Sequence, residues 1–228
     1  MTGKTALIAG ATGLVGGFVL KRLLASPDYG AVIAVTRRSL GISHPKLTEL
    51  VTDFEHLEEA IARTGAKADD AFCALGTTIR KAGSQPAFAR IDLDYVAAFA
   101  RAAKAAGATR FLLVSAIGAA PDSRVFYSRI KGQAEQAVGA LGFGATHIFR
   151  PGLIFGERNE RRPAEAAMMA AMPALNLLLV GSLDIYRGIP ADTIAAAMVA
   201  AAARPASGRQ IHTYRSMIEL ASGRPADE

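Results

Sequence analysis

The stretch TALIAGATGLVGGFVLKRLLAS, Thr5 to Ser26, decides the fold. Its first part, TALIAG (5–10), is a short apolar run of strand length. Its last part, LVGGFVLKRLLAS (14–26), has a helical pattern, with Leu14, Phe18 and the leucines of 20–24 on one side. Between them Gly10, Gly13 and Gly16 fall at a Gly-x-x-Gly-x-x-Gly spacing. That spacing suits a chain that turns sharply, lets its backbone approach a pyrophosphate and packs a helix closely on a strand. The start of the helix then offers free N–H groups and the positive end of its dipole to an anion. A glycine-rich turn without a ligand has the same spacing, but the strand–turn–helix setting in an alternating chain favours a dinucleotide.

The alternation continues along the sequence. AVIAVTR (31–37) and LTELVTDF (47–54) read as strands, followed by a short helix, HLEEAIAR. AFCALG (71–76) is a fourth strand, and one long helix is predicted over about 85–106. RFLLVSA (110–116) is a fifth strand, the next helix runs to about Leu141, and THIFRP (146–151) is a sixth strand. Near-continuous apolar strands alternating with helices imply a parallel sheet covered on both faces. Right-handed crossovers make it a doubly wound α/β sheet, a Rossmann arrangement. After Gly152 the chain turns helical and rich in Ala and Met, with one more short strand at QIHTY (210–214). The reading is a single domain over 1–228, with a cofactor-binding core at 1–152 and a small substrate-side helical portion at 153–228.

Ligands in such sheets bind at the carboxyl ends of the strands, so those ends carry the next expectations. The second strand ends in VTRR. An NAD site puts an Asp or Glu there for the ribose 2′-hydroxyl, whereas Arg37 and Arg38 would attract a 2′-phosphate. The cofactor expected is therefore NADP(H), with NAD(H) the less favoured form; the alternative is two solvated surface arginines. Asp53 and Phe54, ending the third strand, are candidates to contact the adenine by hydrogen bond and ring packing. In ALGTT (74–78), which contains Leu75, Gly76 and Thr77, a glycine would let the backbone lie against ribose and phosphates.

The reactive chemistry is sought beyond the fifth strand. Ser115 ends that strand, Tyr127 lies twelve residues later, and Lys131 follows one helical turn on. Residues i and i+4 share a helix face. A nearby ammonium favours a phenolate, which would bring a tyrosine towards acid–base work at neutral pH. Lys131 could also hold ribose hydroxyls, and Ser115 could bond a substrate oxygen as charge develops there. Tyr-x-x-x-Lys alone is a common accident on a helix surface. The order of glycine turn, basic second strand, Ser, then Tyr and Lys is what favours hydride transfer to or from a small carbonyl or alcohol.

Composition bounds the other classes. The chain of 228 residues is 51% hydrophobic and 20% charged, which suits a globular core rather than disorder. Its single Cys excludes an internal disulfide and fits a reducing compartment. MTGKTALIAGATG has no apolar stretch of signal-peptide length, so a cytoplasmic location is expected. The net charge is +6, but the basic residues lie in short groups without interleaved aromatics, so no nucleic acid is expected as a partner. The uncharged stretch 166–183 carries Pro173 and Asn176 and reads as a buried helix pair or a lid rather than a transmembrane segment, with peripheral membrane contact as the alternative. ADTIAAAMVAAAA (191–203) reads as core or partner packing, including a homodimer contact. Cys73 and His147 read as core residues, RIDLDY (90–95) as helix surface with local pairing, and the four histidines show no metal-ligand spacing.

The segments GATGLVGG, TRR, DFEHL, AFCALGTTIRKAG, FARIDLDYV, YSRIKGQAE and FRPGLIFGERNERRP, in that order over about residues 5–165, resemble the atypical branch of the short-chain dehydrogenase/reductase superfamily. More narrowly the chain resembles the Tat-interactive-protein-like oxidoreductases. The resemblance implies NADPH binding by Thr12, Gly13, Leu14 and Val15 of the turn, by Arg37 and Arg38, and by Leu75 and Gly76. It also implies cofactor contacts from Tyr127 and Lys131, with Ile154 near the nicotinamide and Arg162 beyond it closing the site. Many members of the superfamily carry a proton-relaying Asn on the long helix before strand five; Asp92 stands in the matching place here. The resemblance fades after about residue 166 and carries no substrate. Two other functions fit the same residues: an NADPH-binding regulator without turnover, and a nucleotide-sugar epimerase, which normally needs a larger C-terminal domain and favours NAD.

Overall fold

Consecutive residues of the central strands face opposite helix layers, which is why those strands are apolar throughout. In the computed structural model, which describes residues 3–156, 179 and 181–223, the first strand β1 (Lys4–Ala9) sends Leu7 to one layer and Ile8 to the other. After the glycine turn comes α1 (Leu14–Ala25), then β2 (Tyr29–Thr36) and β3 (Leu47–Val51). The chain goes on through α2 (Leu57–Thr64), β4 (Asp70–Cys73), α3 (Ile79–Ala82) and α4 (Gln85–Ala89). A π turn at Arg90–Asp94 leads into α5 (Tyr95–Ala105), followed by β5 (Arg110–Val114), α6 (Phe126–Gly139) and β6 (Ala145–Phe149). The later described elements are β7 (Ile154–Phe155), a 3-10 turn at Gly181–Tyr186, β8 (Ile189–Pro190), α7 (Ala191–Ala203), β9 (Gly208–His212) and α8 (Tyr214–Ala221).

Seven strands form one sheet in the order β3-β2-β1-β4-β5-β6-β9, and every neighbouring pair is parallel. β7 and β8 pair separately, Ile154 with Ile189. One face is covered by α1, α7 and α8, whose Val19, Leu23, Ile194, Met198 and Met217 meet Ile8, Phe72, Leu112 and Phe149 of the sheet. The other is covered by α2, α5 and α6, where Ile61, Phe99 and Val138 meet Leu7, Phe111 and Leu113. This is the doubly wound Rossmann sheet expected from the sequence.

Two differences from expectation bear on function. The helix expected over 85–106 is interrupted by the π turn, which takes in an extra residue per turn and is a frequent feature of functional sites. The second concerns the C-terminal portion, expected as a substrate-side helical part of the one domain, which also contributes to the sheet. β9 extends the main sheet, and α7 packs on α1 as core, tied to it by the bidentate Arg22–Asp192 pair at 2.8 Å. Arg162 and most of 166–183 lie outside the described residues. Among the described residues no helix is long and apolar enough to cross a membrane.

Candidate functional site

The sheet changes direction of growth at β1. The chain builds outward through β2 and β3, then crosses back to place β4 on the other side of β1. Crevices at such switch points are where open α/β sheets bind ligands. A cavity of about 160 Å³ opens there, lined by Gly10 to Gly13, Thr36, Arg37, Phe54, Ala74 to Thr77 and Tyr95, among others. Gly10 has φ of 87°, and a Cβ on it would stand 2.5 Å from the Ala74 carbonyl. A Cβ on Gly16 would collide with the Gly10 oxygen, so that glycine sets how closely α1 approaches the turn. Gly13 caps α1 without any side-chain hydrogen bond, and the first helical turn holds no acidic residue. The Gly13 N–H itself donates to the Gly10 oxygen at 2.9 Å, while the N–H groups of the first turn of α1 are left without a side-chain cap, the kind of donor set a pyrophosphate uses. Leu14 and Val15, by contrast, turn their side chains into the α1-side core.

At the adenine end the adjacent residues Asp53 and Phe54 part company. Phe54 is buried, lines the cavity and stacks on Tyr95 at 5.1 Å. Asp53 faces solvent and accepts hydrogen bonds from the His56 backbone N–H at 2.9 Å and its ring Nδ1 at 2.8 Å. Those bonds hold the Asp53 carboxyl below its usual range and push the His56 ring up. Both bonds engage Oδ1 of the exposed Asp53 carboxylate, in a local turn ahead of α2. Arg37 lines the cavity, whereas Arg38 is exposed and does not. Tyr95 was missed by sequence reasoning; it sits in the FARIDLDYV segment, and only its stacking partner 41 positions away marks it.

The reactive end is built on the other side of Gly76. Tyr127 lies in the first turn of α6, 37% exposed, with its ring 5.6 Å from that of Phe88. Lys131, one turn further, is buried, and its Nζ is 2.6 Å from Asp92 Oδ1. Asp92 is itself fully buried, and its Oδ2 accepts the Thr77 backbone N–H at 2.9 Å. A Cβ on Gly76 would stand 3.5 Å from both Asp92 Oδ1 and Lys131 Nζ, so the ion pair backs directly onto the cavity wall. The π turn delivers Asp92 to this position, which corrects the expectation that RIDLDY is helix surface. Its one legible signal was the coincidence of Asp92 with the superfamily's relay Asn.

Ser115 is close by in sequence order but differently engaged. It is buried, and its hydroxyl donates to Glu135 Oε1 at 2.6 Å. Glu135 also takes Arg150 Nε at 2.9 Å and Arg209 at 2.7 Å, forming a network that ties α6 to β6 and β9. The hydroxyl expected to meet a substrate oxygen is therefore occupied by a carboxylate of α6. Ile154 is half-buried in β7 against the α1-side core and does not line the cavity. Cys73 is buried, and desolvation pushes its thiol up to about 12, which leaves no thiolate for chemistry. His147 is buried as expected, with Nδ1 3.0 Å from His212 Nε2, but its own Nε2 has no hydrogen-bond partner among the described residues. No cluster able to hold a metal occurs among the described residues.

A family model described as NAD(P)H-binding matches residues 10–205, which span the glycine turn, the cavity and the Tyr127–Lys131 helix. The chain belongs to this NAD(P)H-binding family, within the atypical short-chain dehydrogenase/reductases. Protein HTATIP2 of Rattus norvegicus is 40% identical over 169 residues, covering 72% of this chain and 69% of its own length. Protein FMP52-1, mitochondrial, of Scheffersomyces stipitis is 38% identical over 187 residues, covering 82% and 78%. Among solved structures, uronate dehydrogenase from Agrobacterium tumefaciens superposes with a TM-score of 0.67 at 16% identity, over all of this chain and 86% of the other. The UDP-Glc/GlcNAc 4-epimerase from Campylobacter jejuni gives 0.66 at 13% identity, over 95% and 82%. At such identities these two likenesses speak for the Rossmann fold. In this NAD(P)H-binding protein the uncapped start of α1 and the approach enforced by Gly10 are consistent with a dinucleotide laid across the switch point.

Proposed function

We propose that this protein is an NADP(H)-dependent oxidoreductase acting on a small carbonyl or alcohol, with Tyr127 as acid/base and Lys131 as its neighbouring cation. The observation that carries the reading is the buried Lys131 ammonium, held by Asp92 against Gly76 at the cavity wall, one helical turn from a partly exposed Tyr127. The cofactor, when bound, supplies or takes the hydride. The Gly10–Gly16 turn would hold its pyrophosphate, the Leu75–Thr77 loop its ribose, and Arg37 the adenine end. Lys131 carries three N–H donors, of which one faces Asp92, leaving others for ribose hydroxyls. On reduction Tyr127 hands its phenolic proton to the substrate oxygen and regains one from solvent, which its exposure permits. Among the described residues Asp92 is partnered by Lys131 and Thr77, and it is fully buried, so it serves as a counter-charge and not as a relay. Ser115 acts as a positioning residue that anchors α6 through Glu135.

A second reading rests on the same pair. A lysine neutralised at 2.6 Å polarises its surroundings less than a free one, which suits a protein that binds NADPH and reports its state without turnover. A carbonyl substrate screen with Tyr127→Phe separates the two. In the enzyme the variant loses about 100-fold or more in turnover, the scale of general acid catalysis, while NADPH affinity stays within about twofold. Tight NADPH binding with no turnover from any carbonyl in the wild type would favour the regulator. For location we retain the cytoplasm, a reducing compartment that suits a single buried thiol; fractionation tests this against the mitochondrial label of the Scheffersomyces relative.

A further inference from the structure

Three segments leave the carboxyl ends of β5, β6 and β7, and each carries a large apolar side chain into solvent. Val125 is 62% exposed, Leu153 44% and Tyr186 54%. The backbone knits these segments side by side. Ile117 N–H donates to the Pro151 oxygen at 2.9 Å, and Ile189 N–H donates to the Leu153 oxygen at 2.9 Å. A Cβ on Gly152 would stand 3.0 Å from the Tyr186 carbonyl, and one on Gly132 would collide with Ala120, so α6 lies directly against the loop after β5. Tyr127 opens that helix two residues after Val125, with the fully buried Phe88 behind its ring. Exposed apolar side chains gathered beside a reactive group mark a contact surface.

Among the described residues the charges of these segments are turned to other partners. Glu135 accepts from Arg150 at 2.9 and 2.5 Å, and Asp184 accepts from Arg215 at 2.9 Å. Arg187 donates to the Leu179 oxygen at 2.6 Å and lies 5.5 Å from the centre of the Tyr214 ring. Asp122 and Arg124, both exposed and ahead of Val125, are opposite in sign. We propose that the substrate is a neutral carbonyl compound with an aliphatic or aryl body, seated on Val125, Leu153 and Tyr186 with its carbonyl oxygen at Tyr127. The inference rests on the oxidoreductase reading above and names the substrate class for it. In the reduction the carbonyl carbon takes the hydride of NADPH and the oxygen takes the phenolic proton, which leaves an alcohol and NADP⁺. A carboxylate or diphosphate on the substrate would surrender hydration at a surface whose charges are already paired or balanced in sign. An apolar body gains by leaving water on the same surface.

The test is steady-state kinetics of the full-length protein with NADPH and a neutral series, propanal, butanal, hexanal and octanal, set beside succinic semialdehyde as the charged counterpart of butanal. In the wild type kcat/KM is expected to rise about threefold per added methylene, the worth of burying one such group, and to fall about tenfold or more from butanal to succinic semialdehyde. In Leu153→Ala and Tyr186→Ala the rise should flatten, with octanal losing about tenfold. Ile42→Ala, which removes an exposed apolar side chain from the loop after β2, should keep the wild-type rise. A flat series in the wild type, a rise that survives in both Leu153→Ala and Tyr186→Ala, or a preference for succinic semialdehyde would overturn the inference and leave the oxidoreductase reading standing. So would a wild-type dimer that both variants dissolve, which would assign the surface to a second copy of the chain. A wild type that binds NADPH and turns over no carbonyl would instead overturn the oxidoreductase reading, and this substrate class with it.

Discussion

The two ends of the cavity hold their charges in opposite ways. At the outer, adenine end Arg37 stands in solvent, unpaired among the described residues. At the inner end Lys131 and Asp92 are buried and paired at 2.6 Å before any ligand arrives. Exposed charges cost the fold almost nothing and can be redirected by a ligand. A buried pair is part of the fold: its geometry is preset, and removing one member leaves the other desolvated and unpaired. On the function proposed here, cofactor binding at the outer end and chemical positioning at the inner end would be altered separately, because only the second is bound up with stability.

Several substitutions bear on that contrast. The largest effect is expected from Tyr127→Phe, which should remove turnover and spare binding; equal loss of both would mean that Tyr127 holds the cofactor rather than the proton. Next is Asp92→Ala, which strands Lys131 in the interior and should cost about 3–5 kcal/mol of stability. For a chain of this size that is a melting-temperature drop on the order of 10 °C. Asp92→Asn keeps the shape and the acceptor for Thr77 and should cost less. An Asp92→Ala protein that melts with the wild type would erase the distinction between the two ends. Arg37→Ala sits at the other pole, with about a tenfold loss of NADPH affinity expected by calorimetric titration and no change in melting.

A smaller effect is expected away from the cavity, in the histidine pair of β6 and β9, His147 buried and His212 half-buried. Burial and the His147 ring push His212 down from 6.5 to about 4, and burial likewise pushes His147 down. Both are therefore held neutral in the folded protein, while the unfolded chain takes up protons first. Their contribution is fully present above about pH 6.5 and is lost progressively as the pH falls towards 4. Melting curves between neutral pH and pH 4.5 should show this loss, and His212→Phe, which retains the ring packing on Phe149, should show less of it. An unchanged acid profile in the variant would place the sensitivity elsewhere.

What could be read along the chain was whatever depends on near neighbours. The strands are legible because both of their faces are buried, so each is a continuous apolar run; the glycine turn is legible because close backbone approach excludes a Cβ at Gly10 and Gly16. Tyr127 and Lys131 share a helix face because they are four residues apart. The pairings across the fold were not legible. Asp53 and Phe54 differ by one position, and the local turn at His56 sends one outward while Tyr95 draws the other in. Asp92 became the partner of Lys131 only through a π turn that helical periodicity does not foresee, and Ser115 was claimed by Glu135 from the neighbouring helix. Sequence order therefore carried the fold and the NAD(P) cofactor class. Which charges are buried against each other, and which stay free for a ligand, followed from how layers distant in sequence stack, because ion pairing and desolvation depend on separation in space.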